Sequence, residues 1–389
     1  MLKPLAALVL VGLLAGTAAA DPLSPEAVPA PSHEDGSLAV AGDPVAADAP
    51  GARWVVSVDY ILWWLREGRL PPTLTTSSQA SRGLLGQPDT RLLYGGDRIP
   101  TRHGDRFNGV RPTLAFWFDD ARTVGVEAGA FFLERDSTHF KAVSDGGTLL
   151  ARVYENADGS PASSVVAGQA PAGLRNGGFV GYSRVELFGE EANLVAAVLT
   201  GDGFRVEALA GARFLQMRDR TDLTATGRTL PKTTTLFGLE DHYRVEDAYY
   251  GAQVGLRGEV TRGRWFANLR AETGLGANAA HLRAFGSTLY QTPAERLVTP
   301  TGLTVQASNS GGYDRAALNM VSEAGLNVGC RLTDHFALYV GYTFLLWDSP
   351  MRSGDQIDPV VNGTTRPAIP FREDLFWAQG LNAGAELKW

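Results

Sequence analysis

Residues 264–276 read RWFANLRAETGLG, and this stretch decides the fold class. From Trp265 to Leu275 every second residue is apolar apart from Thr273, whereas the residues between them, from Asn268 onward, are polar or glycine. Because the side chains of a β-strand alternate between its two faces, the stretch predicts a strand with one oily and one charged face. The same alternation recurs at 204–214, 248–260 and 322–332.

Ten segments of this kind are predicted, near residues 54–65, 107–118, 123–134, 186–199, 204–218, 247–260, 264–279, 320–332, 335–347 and 377–389. Each is at least as long as the roughly 9 to 11 residues that a tilted strand needs to cross a bilayer. Four connections are tight turns, at 119–122, 200–203, 261–263 and 333–334. The others are long, around 66–106, 135–185, 219–246, 280–319 and 348–376.

Short periplasmic turns and long extracellular loops are typical of outer-membrane barrels. The pattern therefore predicts an all-β fold, a transmembrane antiparallel up-and-down β-barrel of about ten strands with long extracellular loops. It leaves room for twelve strands or more, since the loops are long enough to hide others, for instance around residues 179–182.

The same alternation would also suit a soluble antiparallel sandwich, with apolar residues inside and polar residues outside. The barrel is favoured because the polar face pairs arginine with glutamate and is rich in glycine, as expected of a crowded lumen. Aromatic residues near the strand ends also match the interfacial girdles of a barrel: Trp54, Trp64, Phe118, Trp265, Phe336, Phe344 and Trp377.

The two chain ends carry signals of export and assembly. Lys3, the apolar run 5–14 and the small residues 18–20 predict a signal peptide at 1–20, because the run is shorter than the ~20 residues of a spanning helix. Residues 21–51, rich in Pro, Ala and Asp, predict a disordered periplasmic linker. The outer-membrane β-barrel domain then covers 52–389.

The last strand alternates apolar residues up to Trp389 and resembles the C-terminal signature that the barrel assembly machinery reads. Trp389 is therefore predicted to be the assembly signal. The expected partners are this machinery and outer-membrane lipids, and the expected location is the cell outer membrane.

Composition excludes several other classes of protein. The net charge of −7 lacks the basic footprint that nucleic-acid binding needs. The single cysteine, Cys330, rules out a disulfide within one chain and a cysteine-based zinc site. No cofactor and no metal site are predicted.

A ten-stranded barrel is little wider than the eight-stranded kind that side chains fill, whereas open aqueous channels have roughly 16 to 18 strands. The alternation predicts twelve charged lumen-lining residues of both signs: Asp59, Glu127, Glu191, Arg205, Glu207, Arg213, Arg257, Glu259, Arg270, Glu272, Glu323 and Arg331. Two interpretations remain open, a salt-bridge network that plugs the lumen and a narrow polar pore. Residues 257, 259, 270 and 272 are expected to pair between neighbouring strands.

An outer-membrane hydrolase is a less favoured alternative. Asp241-His242 and Asp334-His335 are adjacent in sequence, so the two side chains of each pair would point to opposite faces of a strand. The stretch 308–311, Ser-Asn-Ser-Gly, has Gln306 where a phospholipase pattern has histidine. We therefore expect no catalytic residues and no enzymatic activity.

A third class is a barrel that anchors its loops at the surface. The loop oxygens of Asp355, Asp358, Asn362, Gly363 and Thr364 are of the kind that binds calcium, but they lack EF-hand spacing. A solvated loop is the expectation for this segment.

The strands and loops resemble the putative beta-barrel porin-7 family of bacterial outer-membrane proteins. The stretches that carry the resemblance are 59–64 with 71–72, 94–96, 251–257, 341–347, 352–358 and 376–381, so that it covers almost all of the chain after the linker. The resemblance implies an outer-membrane barrel and brings no catalytic or binding residues with it. The expected function is a small porin-like channel for small solutes or ions, the alternative a structural or ligand-binding surface barrel with a plugged lumen.

Overall fold

A computed structural model describes residues 52–96, 106–170, 173–229 and 235–389 of the chain. The predicted signal peptide (1–20) and the whole of the predicted linker (21–51) lie outside the described residues. Within the described residues, no helix is long and apolar enough to cross a membrane. A single turn of 3-10 helix forms at Gly354–Gln356.

The described residues form sixteen β-strands: β1 (Trp54–Leu65), β2 (Leu74–Thr76), β3 (Arg91–Tyr94), β4 (Arg106–Trp117), β5 (Val124–Leu133), β6 (Asp136–Ser144), β7 (Leu150–Glu155), β8 (Pro161–Ala170), β9 (Gly173–Gly201), β10 (Phe204–Thr229), β11 (Leu236–Arg262), β12 (Trp265–Gln291), β13 (Arg296–Thr299), β14 (Gly311–Arg331), β15 (Phe336–Trp347) and β16 (Phe376–Lys388).

Ten of these strands close into an antiparallel ring in the order β1, β4, β5, β9, β10, β11, β12, β14, β15, β16 and back to β1. Because the ring is closed, each strand is hydrogen-bonded to a neighbour on both sides and no edge strand is left, as a membrane barrel requires. At the closing seam the backbone of Trp389 exchanges two hydrogen bonds with Trp54, at 2.9 and 3.1 Å. The prediction of an up-and-down barrel of about ten strands is confirmed.

The outer wall carries an apolar belt. On β11, the outward side chains of Tyr250, Val254, Leu256 and Val260 are 58 to 61% exposed, and comparable residues recur on the other ring strands. So large a continuous apolar surface is unfavourable in water but suits hydrocarbon. The stretch from 250 to 260 matches the roughly 9 to 11 residues of a membrane-crossing strand.

Five ring strands are much longer than predicted. β9 has 29 residues, β10 26, β11 and β12 27 each and β14 21, so large parts of the predicted loops are strand. The stretch 179–182 belongs to β9 and is not a further membrane strand. The six strands that do not enter the ring, namely β2, β3, β6, β7, β8 and β13, form within the extracellular connections.

Along these long strands the inner and outer faces exchange chemical character, so that the apolar face is outside at one height and inside at another. Within the belt of β11, Val254 points outward and Gln253 inward, but further along the strand Tyr243 and Val245 are buried inside while Arg244 is exposed outside. The parts of the long strands that continue beyond the apolar belt on the extracellular side are called the extension. The extension has the pattern of a water-soluble sandwich, with apolar side chains inside. This is why the sequence suited both a barrel and a sandwich: each pattern applies at a different height.

The two largest apolar clusters of the described residues fill the interior on the extracellular side. The one nearer the lumen is built from inward side chains of the ring strands: Ile61, Trp63, Leu65, Phe107, Phe131, Leu187, Leu215, Met217, Tyr249, Val321, Leu345, Trp347, Phe376 and Ala378. The other joins the long strands to the extracellular connections: Leu70, Leu74, Tyr94, Leu150, Val166, Ala167, Phe179, Leu223, Ala225, Leu239, Tyr243, Ala284, Val305 and Ile357. The connections thus fold inward and pack on the strands.

Candidate functional site

A cavity of about 180 Å³ lies inside the ring. The cavity begins at Val55 and Lys388, at the end of the ring where the tight turns lie, and extends inward to Arg270. Eight of the twelve predicted lumen residues line it: Asp59, Glu127, Arg205, Glu207, Arg257, Glu259, Arg270 and Glu323. The period-2 pattern of the strands puts these side chains on one inner wall.

The remaining four residues lie next to this cavity. Glu191 and Arg213 line a small adjoining space together with Glu323. Glu272 is bonded to Arg213, and Arg331 donates to Glu259 at 2.8 Å. The structure therefore brings all twelve side chains to the inner side of the ring.

Nine of the twelve charged groups, all except Asp59, Glu259 and Arg331, form one continuous chain of ion pairs. At its periplasmic end Arg205 contacts Glu207 at 2.6 Å, and Glu207 also contacts Arg257 at 2.6 Å. Arg257 in turn contacts Glu127 at 2.5 Å, and Glu127 contacts Arg270 at 2.6 Å. Each carboxylate in this half is shared between two guanidinium groups.

The chain continues through Arg270, which contacts Glu191 at 2.8 Å and Glu272 at 2.9 Å. Arg213 binds both of these carboxylates, Glu272 at 3.0 Å, and reaches Glu323 at 3.1 Å. Its side chain is only 4% exposed. Buried charges of this kind are tolerated only when partners of opposite charge surround them.

Arg111, which is not among the twelve predicted lumen residues, completes the network. It donates to Glu323 at 2.6 Å, and its guanidinium lies 5.2 Å from the ring of Trp63. Arg111 lies two residues before Thr113 in β4, so both side chains point into the lumen. This alternation is the sequence signal from which Arg111 could have been predicted. With Arg111 the network holds five arginines (111, 205, 213, 257, 270) and five glutamates (127, 191, 207, 272, 323), so its charges cancel.

Two amides that were not among the predicted lumen residues support the network. Gln253 donates to Asn193 at 2.8 Å and to Glu191 at 3.3 Å. Asn193 donates to Glu272 at 3.3 Å. Both amides are uncharged, and both have the inward phase of their strands.

The expected pairing between the neighbouring strands β11 and β12 is wrong in detail. Arg257 and Arg270 lie directly opposite each other in the register, and Glu259 lies opposite Asn268. The partners of Arg257 come from β5 and β10, while Glu259 pairs with Arg331 of β14. Long side chains in a closed ring reach across the lumen, so adjacency in sequence does not set the pairing.

The lumen is closed on its extracellular side in this structure. Trp63 and Trp347 are 0% exposed and Phe376 is 1% exposed, and all three belong to the apolar cluster that meets the ion-pair network where the ring of Trp63 lies 5.2 Å from the Arg111 guanidinium. Above them Arg352 forms a buried ion pair with Asp219, which anchors the connection between β15 and β16. The hydroxyl group of Ser353 also donates a hydrogen bond to Asp219, at 2.9 Å.

The residues weighed for catalysis have structural contacts. Asp241 points inward, where it is bonded to Arg152 and accepts two backbone N–H groups at 2.9 and 2.8 Å, whereas His242 points outward to Asp222 at 2.7 Å. His335 lies 2.8 Å from the backbone oxygen of Lys388 at the periplasmic turn, next to Asp334.

The loop that resembled a phospholipase pattern is held by Asn309. This residue is 0% exposed, donates to the Thr304 carbonyl at 2.9 Å and accepts the Gln306 N–H at 2.8 Å. The absence of enzymatic activity stays a prediction.

The segment 355–364 is not a solvated loop at its first residues. Asp355 and Asp358 are 6% and 4% exposed, and Asp358 binds Arg366 at 2.6 Å. The side-chain oxygen of Asn362 accepts backbone N–H groups of the turn that follows it. Burial raises the pKa of Asp355 to about 6, partly opposed by Arg352. Across the described ranges, no group of three or more His, Cys, Asp or Glu side chains could hold a metal ion.

The chain is similar to one protein family and to several solved structures. A family model described as Putative beta barrel porin-7 matches residues 54–389. The outer membrane protease OmpT from Escherichia coli aligns over 86% of this chain and 97% of its own, with 10% identity and a TM-score of 0.41. A Pseudomonas aeruginosa FadL homologue aligns over 88% of this chain and 93% of its own, with 9% identity and a TM-score of 0.25. No curated protein matches the sequence.

Proposed function

The chain belongs to the Putative beta barrel porin-7 family of outer-membrane barrels, and from that membership we propose that it is a small porin-like channel for ions or small solutes in the cell outer membrane. The observation that carries the proposal is the charged cavity of about 180 Å³ inside the ring. Polar walls of both signs suit the passage of hydrated solutes. A barrel that serves only as an anchor can fill its lumen with apolar side chains instead.

On this proposal the described structure is a closed state. A solute entering from the periplasmic side meets the ion-pair network and then the rings of Trp63 and Trp347. The connection between β15 and β16 is anchored by the ion pair of Arg352 with Asp219, and the Arg352 guanidinium lies 5.7 Å from the ring of Phe376, which belongs to the same apolar cluster as these rings. Conduction then requires that this connection moves, so Arg352 is the residue on which opening depends.

A second candidate is a structural or ligand-binding surface barrel whose lumen is permanently plugged. The observation that favours it is the apolar core that continues from the lumen into the extracellular extension. In either case we propose that the partners include outer-membrane lipids and, through Trp389, the barrel assembly machinery. We assign no catalytic residue and no cofactor.

Conductance of the refolded full-length chain in a planar bilayer tests the proposal. Arg352→Met removes the ion pair to Asp219 but keeps an apolar side chain over Phe376, whose ring lies 5.7 Å from the guanidinium. Arg372→Met is the matched control, because Arg372 is exposed on the same connection. A porin-like channel gives openings in the wild type that become more frequent only in the Arg352 variant. Silence of all three proteins, with their heat-modifiable barrel band intact, would favour the plugged surface barrel.

A further inference from the structure

Four arginines form a row on the outer wall of the extension. Arg220 of β10 lies directly opposite Arg184 of β9 and Arg244 of β11, and Arg244 lies opposite Arg283 of β12. With strands about 4.8 Å apart, this arginine row spans roughly 14 Å. Like charges placed directly opposite each other destabilise a sheet. Four in succession therefore call for compensating anions, whether from the protein or from a ligand.

The protein supplies only part of that compensation. The row borders an outer-surface cavity of about 440 Å³ that is also lined by Arg135 and Arg218, which makes six arginines. Three carboxylates belong to the same lining, namely Glu186, Asp219 and Glu246. Asp219 points inward to Arg352, so Glu186 and Glu246 are the two on the outer surface.

Within the row, Arg184 is paired with Glu186, and Arg220 is paired with Asp222 at 2.6 Å. Arg244 and Arg283 lie instead against the ring of Phe285, at 4.8 and 5.7 Å. Neither of these two has a carboxylate at ion-pair distance in the part of the chain that the structure describes. Positive charge is thus in excess on this surface.

The height of the row points to the kind of anion. Below it, at the top of the apolar belt, the rings of Phe132, Phe188, Phe214 and Tyr250 contact one another across four strands at 6.3, 5.5 and 4.9 Å, as in an interfacial girdle. Arg220 lies six residues from Phe214 on β10, and Arg244 lies six residues from Tyr250 on β11, in both cases toward the extracellular end of the strand. At ~3.3 Å per residue and a tilt of ~40°, the row lies about 15 Å above the girdle.

An ordinary headgroup layer is only ~5 to 7 Å thick on each side of a bilayer, so simple phospholipids do not fill this height. We propose that the arginine row binds the phosphate groups of an outer-leaflet glycolipid, whose acyl chains cover the apolar belt while its phosphorylated saccharide headgroup rises along the wall. Guanidinium groups bind phosphate through two parallel hydrogen bonds, and the bound anion relieves the repulsion within the row. The proposal does not depend on whether the lumen conducts.

The test uses the refolded full-length chain in neutral detergent micelles and compares two charge-matched variants. Arg220→Gln with Arg244→Gln removes the centre of the row, whereas Arg228→Gln with Arg296→Gln removes two exposed arginines elsewhere on the extracellular strands. Each protein is titrated with a lipopolysaccharide, with the same lipid after phosphatase treatment, and with soluble polyphosphate. The heat-modifiable band and circular dichroism confirm folding of each variant.

We expect the row variant to lose at least tenfold in affinity for the phosphorylated lipid and the control variant to retain the wild-type affinity. Dephosphorylated lipid should bind the wild type at least tenfold more weakly, and so should polyphosphate, which lacks acyl chains. Without lipid, the row variant should melt no lower than the wild type, since like charges have been removed. Equal losses in both variants, undiminished binding of dephosphorylated lipid, or polyphosphate binding as tight as that of the lipid would each overturn the proposal.

Discussion

Arg213 is the residue whose neutralisation should most disturb the barrel. Its side chain is 4% exposed and binds three carboxylates, of which Glu272 is itself 1% exposed. Arg213→Gln preserves most of the volume but leaves the ten-group network with one uncompensated negative charge. Breaking a buried ion pair in this way costs about 3 to 5 kcal/mol. With a denaturant slope near 3 kcal/mol per M, the urea midpoint should fall by roughly 1 to 1.7 M.

A charge-balanced variant separates electrostatics from packing. In Arg213→Gln with Glu272→Gln, Glu191 still has Arg270 at 2.8 Å and Glu323 still has Arg111 at 2.6 Å. The network again holds equal numbers of positive and negative groups. The double variant should therefore recover most of the lost stability, since contacting residues are strongly coupled.

The assay is urea unfolding of the refolded barrel in micelles, followed by tryptophan fluorescence. If the single variant lowers the midpoint by less than about 0.3 M, the lumen charges behave as exposed pairs, which are worth only ~0 to 1 kcal/mol. If the double variant is no more stable than the single one, charge balance is not what Arg213 provides. Either result would refute the reasoning from the buried network.

Three further predictions concern other parts of the molecule. Ala252→Arg or Ala210→Arg on the outward face should cost roughly 2 to 4 kcal/mol near the midplane, whereas Gln253→Ser in the polar lumen should cost about 1 kcal/mol; equal unfolding midpoints for the two faces would contradict the lipid-facing assignment. Deletion of Trp389 should lower the heat-modifiable band in membranes, and an unchanged yield would argue against its role in assembly. Because burial raises the pKa of Asp355 to about 6, the folded state holds this proton between about pH 4 and pH 6 while the unfolded state has released it. Stability should thus fall as the pH rises through that window, relative to Asp355→Asn, and parallel pH profiles of the two proteins would show that Asp355 does not titrate there.

The position of the membrane strands could be predicted from the sequence because the alternation of side chains is local. The stretch 264–276 needs no knowledge of its neighbours to have an oily and a charged face, and the tight turns that separate the segments are equally local signals. The same periodicity placed charged residues such as Glu127 and Arg270 on the inner wall. The twelve predicted residues did not, however, include Arg111 or the amides Asn193 and Gln253, which have the same inward phase.

Other features depend on contacts between residues far apart in sequence, and only the tertiary structure decided them. Whether 219–229 is loop or strand is set by pairing with β9 and β11, since its own alternation is apolar inside rather than outside. Glu127 and Arg270 pair although 143 residues separate them, because ring closure brings β5 and β12 within reach across the lumen. The alignment of Arg184, Arg220, Arg244 and Arg283 likewise follows from the register of four strands, which the hydrophobic period of any one strand leaves undetermined.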